Sequence, residues 1–307
     1  MTALQLGAKR ARRSPRRSRW RRNIEGWLFI APVILGILVF QFAPLLVSIY
    51  ASLTDWDGLS PARFVGLNNF KTLFTGDSLF ITTLRNTAYF TIGTVPVSIA
   101  VGFGLALLCN QPIRGVAIFR TAYFAPFVTN IVAIGFVWFY FFQPTDGVLN
   151  GILGVAGIHG PAWLSSSSWV MPALISVSVW QGVGYPMIIL LAGLQGIPVE
   201  LNEAATVDGA SRFRRMRSIT IPLLTPQFFF LSITQFISSF QVFGLIYVLT
   251  KGGPGHDSTV YIYYLYQNAF AYGKMGYASA MAWLVFVLIA LVTLVQWKLQ
   301  KRWVFYG

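Results

Sequence analysis

Apolar residues in this chain run in long blocks, and polar residues collect in short stretches between them. Six blocks, 27–53, 86–108, 121–142, 169–195, 223–249 and 276–297, are each long enough to cross about 30 Å of hydrocarbon as a helix of roughly 20 residues. Inside lipid a segment must satisfy its own backbone N–H and C=O groups, and a helix does so. The pattern therefore predicts an all-α membrane protein with six transmembrane helices. Pro44, Pro96, Pro126 and Pro186 fall inside the blocks and predict kinks. The chain divides into a basic tail (1–25), a first transmembrane helix with an outer loop (26–83) and a five-helix core (84–307) that carries a polar loop at 196–222.

Composition agrees with a lipid environment. Of the 307 residues 55% are hydrophobic and 10% charged, and mean hydropathy is +0.63. Soluble domains carry about 25% charged residues. The net charge of +14 is unevenly placed. Lys9, Arg10, Arg12, Arg13, Arg16, Arg17, Arg19, Arg21 and Arg22 all precede the first apolar block. With the N-terminus in the cytosol, the parts facing inward hold 18 of the 23 basic residues, and the outer parts hold Arg63, Lys71, Arg85, Lys251 and Lys274. This asymmetry predicts both termini in the cytosol. The basic tail reads as a topology-setting, lipid-touching arm rather than a nucleic-acid contact. The first block is too long for a signal-peptide core and lacks a small-residue cleavage pattern, which predicts a retained span. Cys109 has no partner for an intrachain disulfide, and His159 and His256 alone make no metal cluster.

None of the six blocks contains Asp, Glu, Lys, Arg or His. Proton-coupled carriers depend on ionisable groups within the membrane, so their absence argues against that class. Neutral polar residues are present: Trp180, Gln181 and Tyr185 in the fourth block, and Gln235, Ser238, Ser239 and Gln241 in the fifth. They suit hydrogen bonding to a hydroxylated solute, and equally suit bonding between helices.

The polar loop is the most informative segment. Pro198 suits the first turn of a helix, and Glu200 and Glu203 sit near its positive end. Gly209 suits the left-handed residue that ends it after about 16 Å. Ser211 suits the cap of a second short helix, which Pro222 is expected to limit. Leu201, Ala204, Ala205 and Asp208 share one face, shallow enough for a partner to approach. The run Arg212, Arg214, Arg215 and Arg217 reads as a lipid-headgroup anchor.

Glu203-Ala204-Ala205, then Gly209, nine residues, then Ile219-Thr220-Ile221-Pro222 resembles the EAA motif of binding-protein-dependent ABC importer permeases. Ile221 stands where Leu is commoner. Three outer stretches are similar to the carbohydrate permeases of the maltose and glycerol-3-phosphate type: Leu249-Thr250-Lys251-Gly252-Gly253-Pro254-Gly255, Gly66-Leu67-Asn68-Asn69-Phe70 and Phe142-Gln143-Pro144-Thr145-Asp146-Gly147. The resemblance covers the chain from about residue 24 onward and points to the first permease subunit. It implies an inner-membrane protein of a bacterial or archaeal cell that imports a sugar or sugar-like solute delivered by an extracytoplasmic binding protein. It further implies a second permease chain and two ATPase subunits, with ATP and Mg bound by the ATPase and no cofactor in this chain. The loop 196–222 would be the coupling helix-turn-helix, with Glu203, Ala204, Ala205, Asp208, Gly209, Ile219 and Pro222 as its ATPase-coupling residues. Counting from Glu203 to the flanking spans places solute contacts at Ser178, Gln181, Gly182, Tyr185, Gln235, Ser238 and Ser239.

Two other classes compete. An ion-independent channel or secondary carrier leaves the amphipathic loop unexplained, and no filter is visible. A membrane-embedded enzyme needs a nucleophile and base or a metal set. Glu203 and Asp208 are five residues apart on a helix and do not face each other. No phosphate-binding G-x-x-x-x-G-K-[ST] stretch is present, so ATP would be hydrolysed elsewhere.

Overall fold

A computed structural model describes residues 16–112 and 114–305. Lys9, Arg10, Arg12 and Arg13 of the basic tail lie outside them. The helices are α1 (Arg16–Ile37), α2 (Ala43–Ser52), α3 (Asn68–Thr75), α4 (Ser78–Cys109), α5 (Val116–Val128), α6 (Ile131–Phe141), α7 (Val148–Val155), α8 (Val170–Gly182) and α9 (Gly184–Gln195). They continue as α10 (Val199–Val207), α11 (Arg212–Arg215), α12 (Ile221–Leu223), α13 (Thr225–Phe240), α14 (Gly244–Leu249), α15 (Tyr261–Tyr266) and α16 (Met275–Gln300). Wider π-turns at Leu38–Phe42, Met216–Thr220 and Gln267–Ala271 join some of them. One two-residue ribbon pairs Thr54–Asp55 antiparallel with Arg63–Phe64.

Four helical runs are long and apolar enough to cross a membrane unaided: Gly26–Ser52, Ser78–Cys109, Thr225–Leu249 and Met275–Gln300. The other two expected spans are bent pairs, α5 with α6 at 99° and α8 with α9 at 43°, and the total is six if each pair is one span. The kink expected from Pro126 within 121–142 is a full break between two helices. Thr129 and Asn130 are extended, and the Asn130 side chain accepts the Val132 N–H at 2.8 Å, capping a new helix. At the smaller bend, Pro186 has no N–H for the Gly182 carbonyl and its ring crowds that oxygen. The expected span 86–108 in fact begins at Ser78, because Asp77 caps it by accepting the Leu79 and Phe80 N–H groups. Thr82, Thr83 and Arg85 interrupt the apolar run, so apolarity alone starts the span a few residues late.

α4 is the central strut. It packs on α8, α9 and α13. One buried cluster joins it to α8 and α14 through Phe90, Leu174 and Ile246, and another joins it to α9 and α13 through Ala106, Leu190 and Leu231. Cys109 is buried in the second cluster. A third cluster seats α15 against α16 and includes Phe80 of α4 and Phe240 of α13. There Asp77 accepts hydrogen bonds from the Tyr264 and Tyr277 hydroxyls as well as the two amides, tying the start of α4 to both helices. Burial first, and then Asp77, push the Tyr264 hydroxyl up to about 12, so it remains a donor.

The three loop motifs of the family resemblance serve as joints. The Asn69 side chain donates to the Ser52 and Thr54 carbonyls, at 2.9 and 2.8 Å, and so pins α3 to the end of α2. Asn86 of α4 donates to the His256 and Thr259 carbonyls, and Thr87 accepts the Tyr261 N–H at 2.9 Å, which fixes the Gly252–Pro254 turn on α4. After Gln143-Pro144, the Gly147 N–H bonds the Gln143 carbonyl, and Asn150 donates to the Pro144 carbonyl.

Candidate functional site: a neutral cavity and an exposed helical hairpin

A cavity of about 460 Å³ lies where α4, α5, α8, α9 and α13 meet. Its volume is in the range of small-molecule sites. Ser178, Gln181 and Gly182 of α8, Tyr185 of α9 and Gln235, Ser238 and Ser239 of α13 all line it. The seven positions nominated from sequence as solute contacts are therefore brought to one wall-to-wall space. Trp180 and Gln241 do not line it. Trp180 is 45% exposed and packs edge-on against Trp138, at 5.4 Å between ring centroids.

Sequence reasoning missed one wall. Phe90, Thr94 and Ser98 of α4 line the cavity, as do Phe127 of α5, Thr234 and Val242. Phe90, Thr94 and Ser98 recur every four residues and so form one stripe on α4. That spacing was visible in the sequence, but nothing in one sequence says which face of a buried helix meets a cavity. Phe127 stacks on Tyr185 with centroids 5.3 Å apart and rings inclined by 19°. The pair offers a flat aromatic surface beside Gln181. Gly182 adds a backbone carbonyl that Pro186 cannot bond, at a position where nothing stands within 4 Å of a Cβ. The lining holds no Asp, Glu, Lys, Arg or His. Such a space can hydrogen-bond hydroxyls and stack an apolar ring face, and it supplies no countercharge.

The loop 196–222 forms a hairpin of short helices that leads directly into α13. Pro198 has φ −55° and ψ 130° and stands at the cap, one residue before the helix rather than in its first turn. α10 is nine residues, about 13 Å, and so shorter than expected. Its end is a Schellman motif: the Gly209 N–H bonds the Thr206 carbonyl at 3.0 Å, and the Ala210 N–H bonds the Ala205 carbonyl at 2.9 Å. Gly209 has φ +74°, the conformation the motif requires. Ser211 accepts the Arg214 N–H at 3.3 Å and caps α11.

Pro222 does not limit the second helix. The Ile221 N–H reaches back five residues to Met216, and this wider turn makes room for the Pro222 ring, so the helical path continues to Leu223. Ile219 lies half-buried in the wide turn. Glu203, Ala204 and Asp208 are exposed, and Ala205 is half-buried. Val199, Leu201, Val207 and Phe213 are also exposed, so the hairpin's surface mixes apolar side chains with charged ones.

A helical bundle built to span lipid, with an uncharged central cavity and an amphipathic hairpin outside the spans, defines a membrane transport protein. Residues 95–304 match the family described as the binding-protein-dependent transport system inner membrane component, and the chain belongs to it. It is a multi-pass permease subunit of an ABC importer, and such subunits are not themselves enzymes. The chain is 39% identical to the probable ABC transporter permease YesP of Bacillus subtilis, over 92% of this chain and 93% of that protein. It is 34% identical to the lactose transport permease LacF of Rhizobium radiobacter, over 91% and 95%. Among solved structures, a bacterial ABC transporter involved in import of the acidic polysaccharide alginate matches with TM-score 0.80 and 25% identity, covering 93% of this chain and 99% of that one.

Proposed function

We propose that the chain is the first permease of a heterodimeric importer for a neutral sugar or sugar-like solute. The observation that carries this reading is the cavity, which holds hydroxyl, amide and aromatic groups and no charge. The relatives support a sugar or sugar-like solute: LacF is a lactose permease, and a relative in Thermoanaerobacterium thermosulfurigenes is assigned to starch degradation products, whereas one in Agrobacterium fabrum is assigned to sulfoquinovosyl glycerol, so neutrality rests on the cavity alone. An anionic solute would enter this space without a countercharge, at a high desolvation cost.

In this reading an extracytoplasmic binding protein delivers solute to the outer face. A second permease completes the pathway, and two ATPase subunits bind ATP and Mg. The chain crosses the membrane six times with both termini in the cytosol, which places the hairpin on the ATPase side. Glu203, Ala204, Ala205, Asp208 and Gly209 present the docking face, and Ile219 and Pro222 carry the far end of the hairpin into α13. Closure of the ATPases pulls on the hairpin, and the bundle alternates between outward and inward openings.

The test is co-purification in mild detergent after expression with the genomic neighbours, comparing wild type with Glu203→Lys. The expected result is that a second permease and an ATPase accompany the wild-type chain and that Glu203→Lys loses the ATPase. A chain that purifies alone and moves solute without ATP would instead be a channel or secondary carrier.

A further inference from the structure

Arg212, Arg214, Arg215 and Arg217 look equivalent in sequence, but one of them is set apart in space. Arg212, Arg214 and Arg217 are exposed, whereas Arg215 turns inward and is half-buried. Its Nη1 donates to the Thr206 hydroxyl of α10 at 2.7 Å and lies 3.5 Å from the Asn202 carbonyl. The Thr206 hydroxyl in turn donates to the Asn202 carbonyl at 2.6 Å. The guanidinium thus closes a short chain of polarised hydrogen bonds across the hairpin. Its Nε is buried with no hydrogen-bond partner. A charge kept in such a place costs more than an apolar side chain would, which argues for a role beyond filling space.

We propose that Arg215 is the positioning residue that makes α10 and α11 move as one body, so that a pull on α10 reaches the cavity. This rests on the reading that the hairpin receives the ATPase. α10 connects to α11 through the Gly209 turn, and a glycine turn flexes readily. From α11 the helical path runs through Met216–Thr220 and α12 to α13, whose Gln235, Ser238 and Ser239 line the cavity. With Arg215 bonded to Thr206, displacement of α10 is passed into that path. Without it the Gly209 turn absorbs the displacement.

The test uses the full complex in lipid vesicles and needs no knowledge of the solute. Ser238→Cys, in a Cys109→Ala background, reports cavity access through its rate of alkylation by a membrane-impermeant maleimide. Rates are compared without nucleotide and with ATP plus vanadate. Arg215→Met is expected to retain the ATPase and the trapped nucleotide, while the nucleotide-dependent change in rate falls about tenfold, the factor that one charge-assisted hydrogen bond controls. Thr206→Val is expected to show the same defect, with no further loss in the double variant, and Arg215→Lys to restore part of the response. A wild-type response in Arg215→Met overturns the proposal. So does loss of the ATPase from that variant, which would make Arg215 a docking residue. Failure of the ATPase to accompany even the unsubstituted chain would instead overturn the reading on which the proposal rests.

Discussion

Gly184→Ala tests the packing that builds the cavity wall. A Cβ at Gly184 would stand 2.4 Å from the Tyr123 carbonyl oxygen and 2.7 Å from the Phe124 Cα. Both are backbone atoms of α5, so no side-chain rotation relieves the clash. A relaxed carbon–oxygen contact is about 3.3 Å, so α5 and α9 must separate by roughly 0.9 Å. Overpacking of this kind costs about 1–3 kcal/mol. The gain in helix propensity from Gly to Ala offsets about 1 kcal/mol. The net expectation is destabilisation by up to about 2 kcal/mol, and by about 1–3 kcal/mol relative to a Gly-to-Ala change that meets no clash. The same separation moves Phe127 away from Tyr185, whose rings stack at 5.3 Å, so solute uptake should fall as well. Gly104→Ala is the matched control, since a Cβ there meets nothing within 4 Å. It should be neutral or stabilising by up to about 1 kcal/mol. Unfolding of the purified chains in mixed micelles of rising SDS content, followed by tryptophan fluorescence, measures both. If Gly184→Ala is as stable as Gly104→Ala, the close approach of α5 to α9 is wrong.

Three further outcomes are expected. Gly209→Pro replaces a residue at φ +74° with one locked near −65°, so the hairpin should misfold and the ATPase be lost from the complex while membrane insertion, checked by fractionation, is unchanged. Gln181→Leu and Tyr185→Ala should each lower uptake of a transported neutral sugar about tenfold with the ATPase still bound, as removal of one solute hydrogen bond predicts; uptake equal to wild type in both would exclude the cavity as the solute path. Asp57, an exposed residue of the first outer loop, has its carboxyl held below the ordinary carboxylate value by the Ser60 N–H, then the Leu59 N–H and the Ser60 hydroxyl. Because its folded value is depressed, the turn gains from these bonds above the unfolded value near pH 4 and loses them as pH falls through the lower folded value. Amide exchange at Leu59 and Ser60 should therefore accelerate, relative to Asp57→Asn, only on acidification below about pH 4.

What depends on local composition and local geometry is legible in the residues alone. Blocks of apolar residues must lie in lipid, and those blocks fall on the four unbroken candidate spans, including the first, 27–53 against Gly26–Ser52, and on the two bent pairs. Gly209, Ser211 and the spacing around them fixed the hairpin, because a left-handed residue and a hydroxyl cap act within a few residues of themselves. The seven cavity-lining positions were reachable through the family resemblance, by counting from Glu203 into the flanking spans where relatives place their sugar contacts.

Tertiary structure decided the rest. Apolarity cannot register a 99° break at Thr129–Asn130, because both halves are apolar, and Pro126 predicts a kink but not its size. The stripe Phe90, Thr94 and Ser98 became a cavity wall only when α4 met α5, α8 and α13. Pro222 lost its expected role because the wide turn at Met216–Thr220 admits its ring, and Arg215 parted from its three neighbours because one helix face turned toward Thr206. Each of these depends on contacts between residues distant in the chain or on which way a face points, and a one-dimensional pattern does not carry that information.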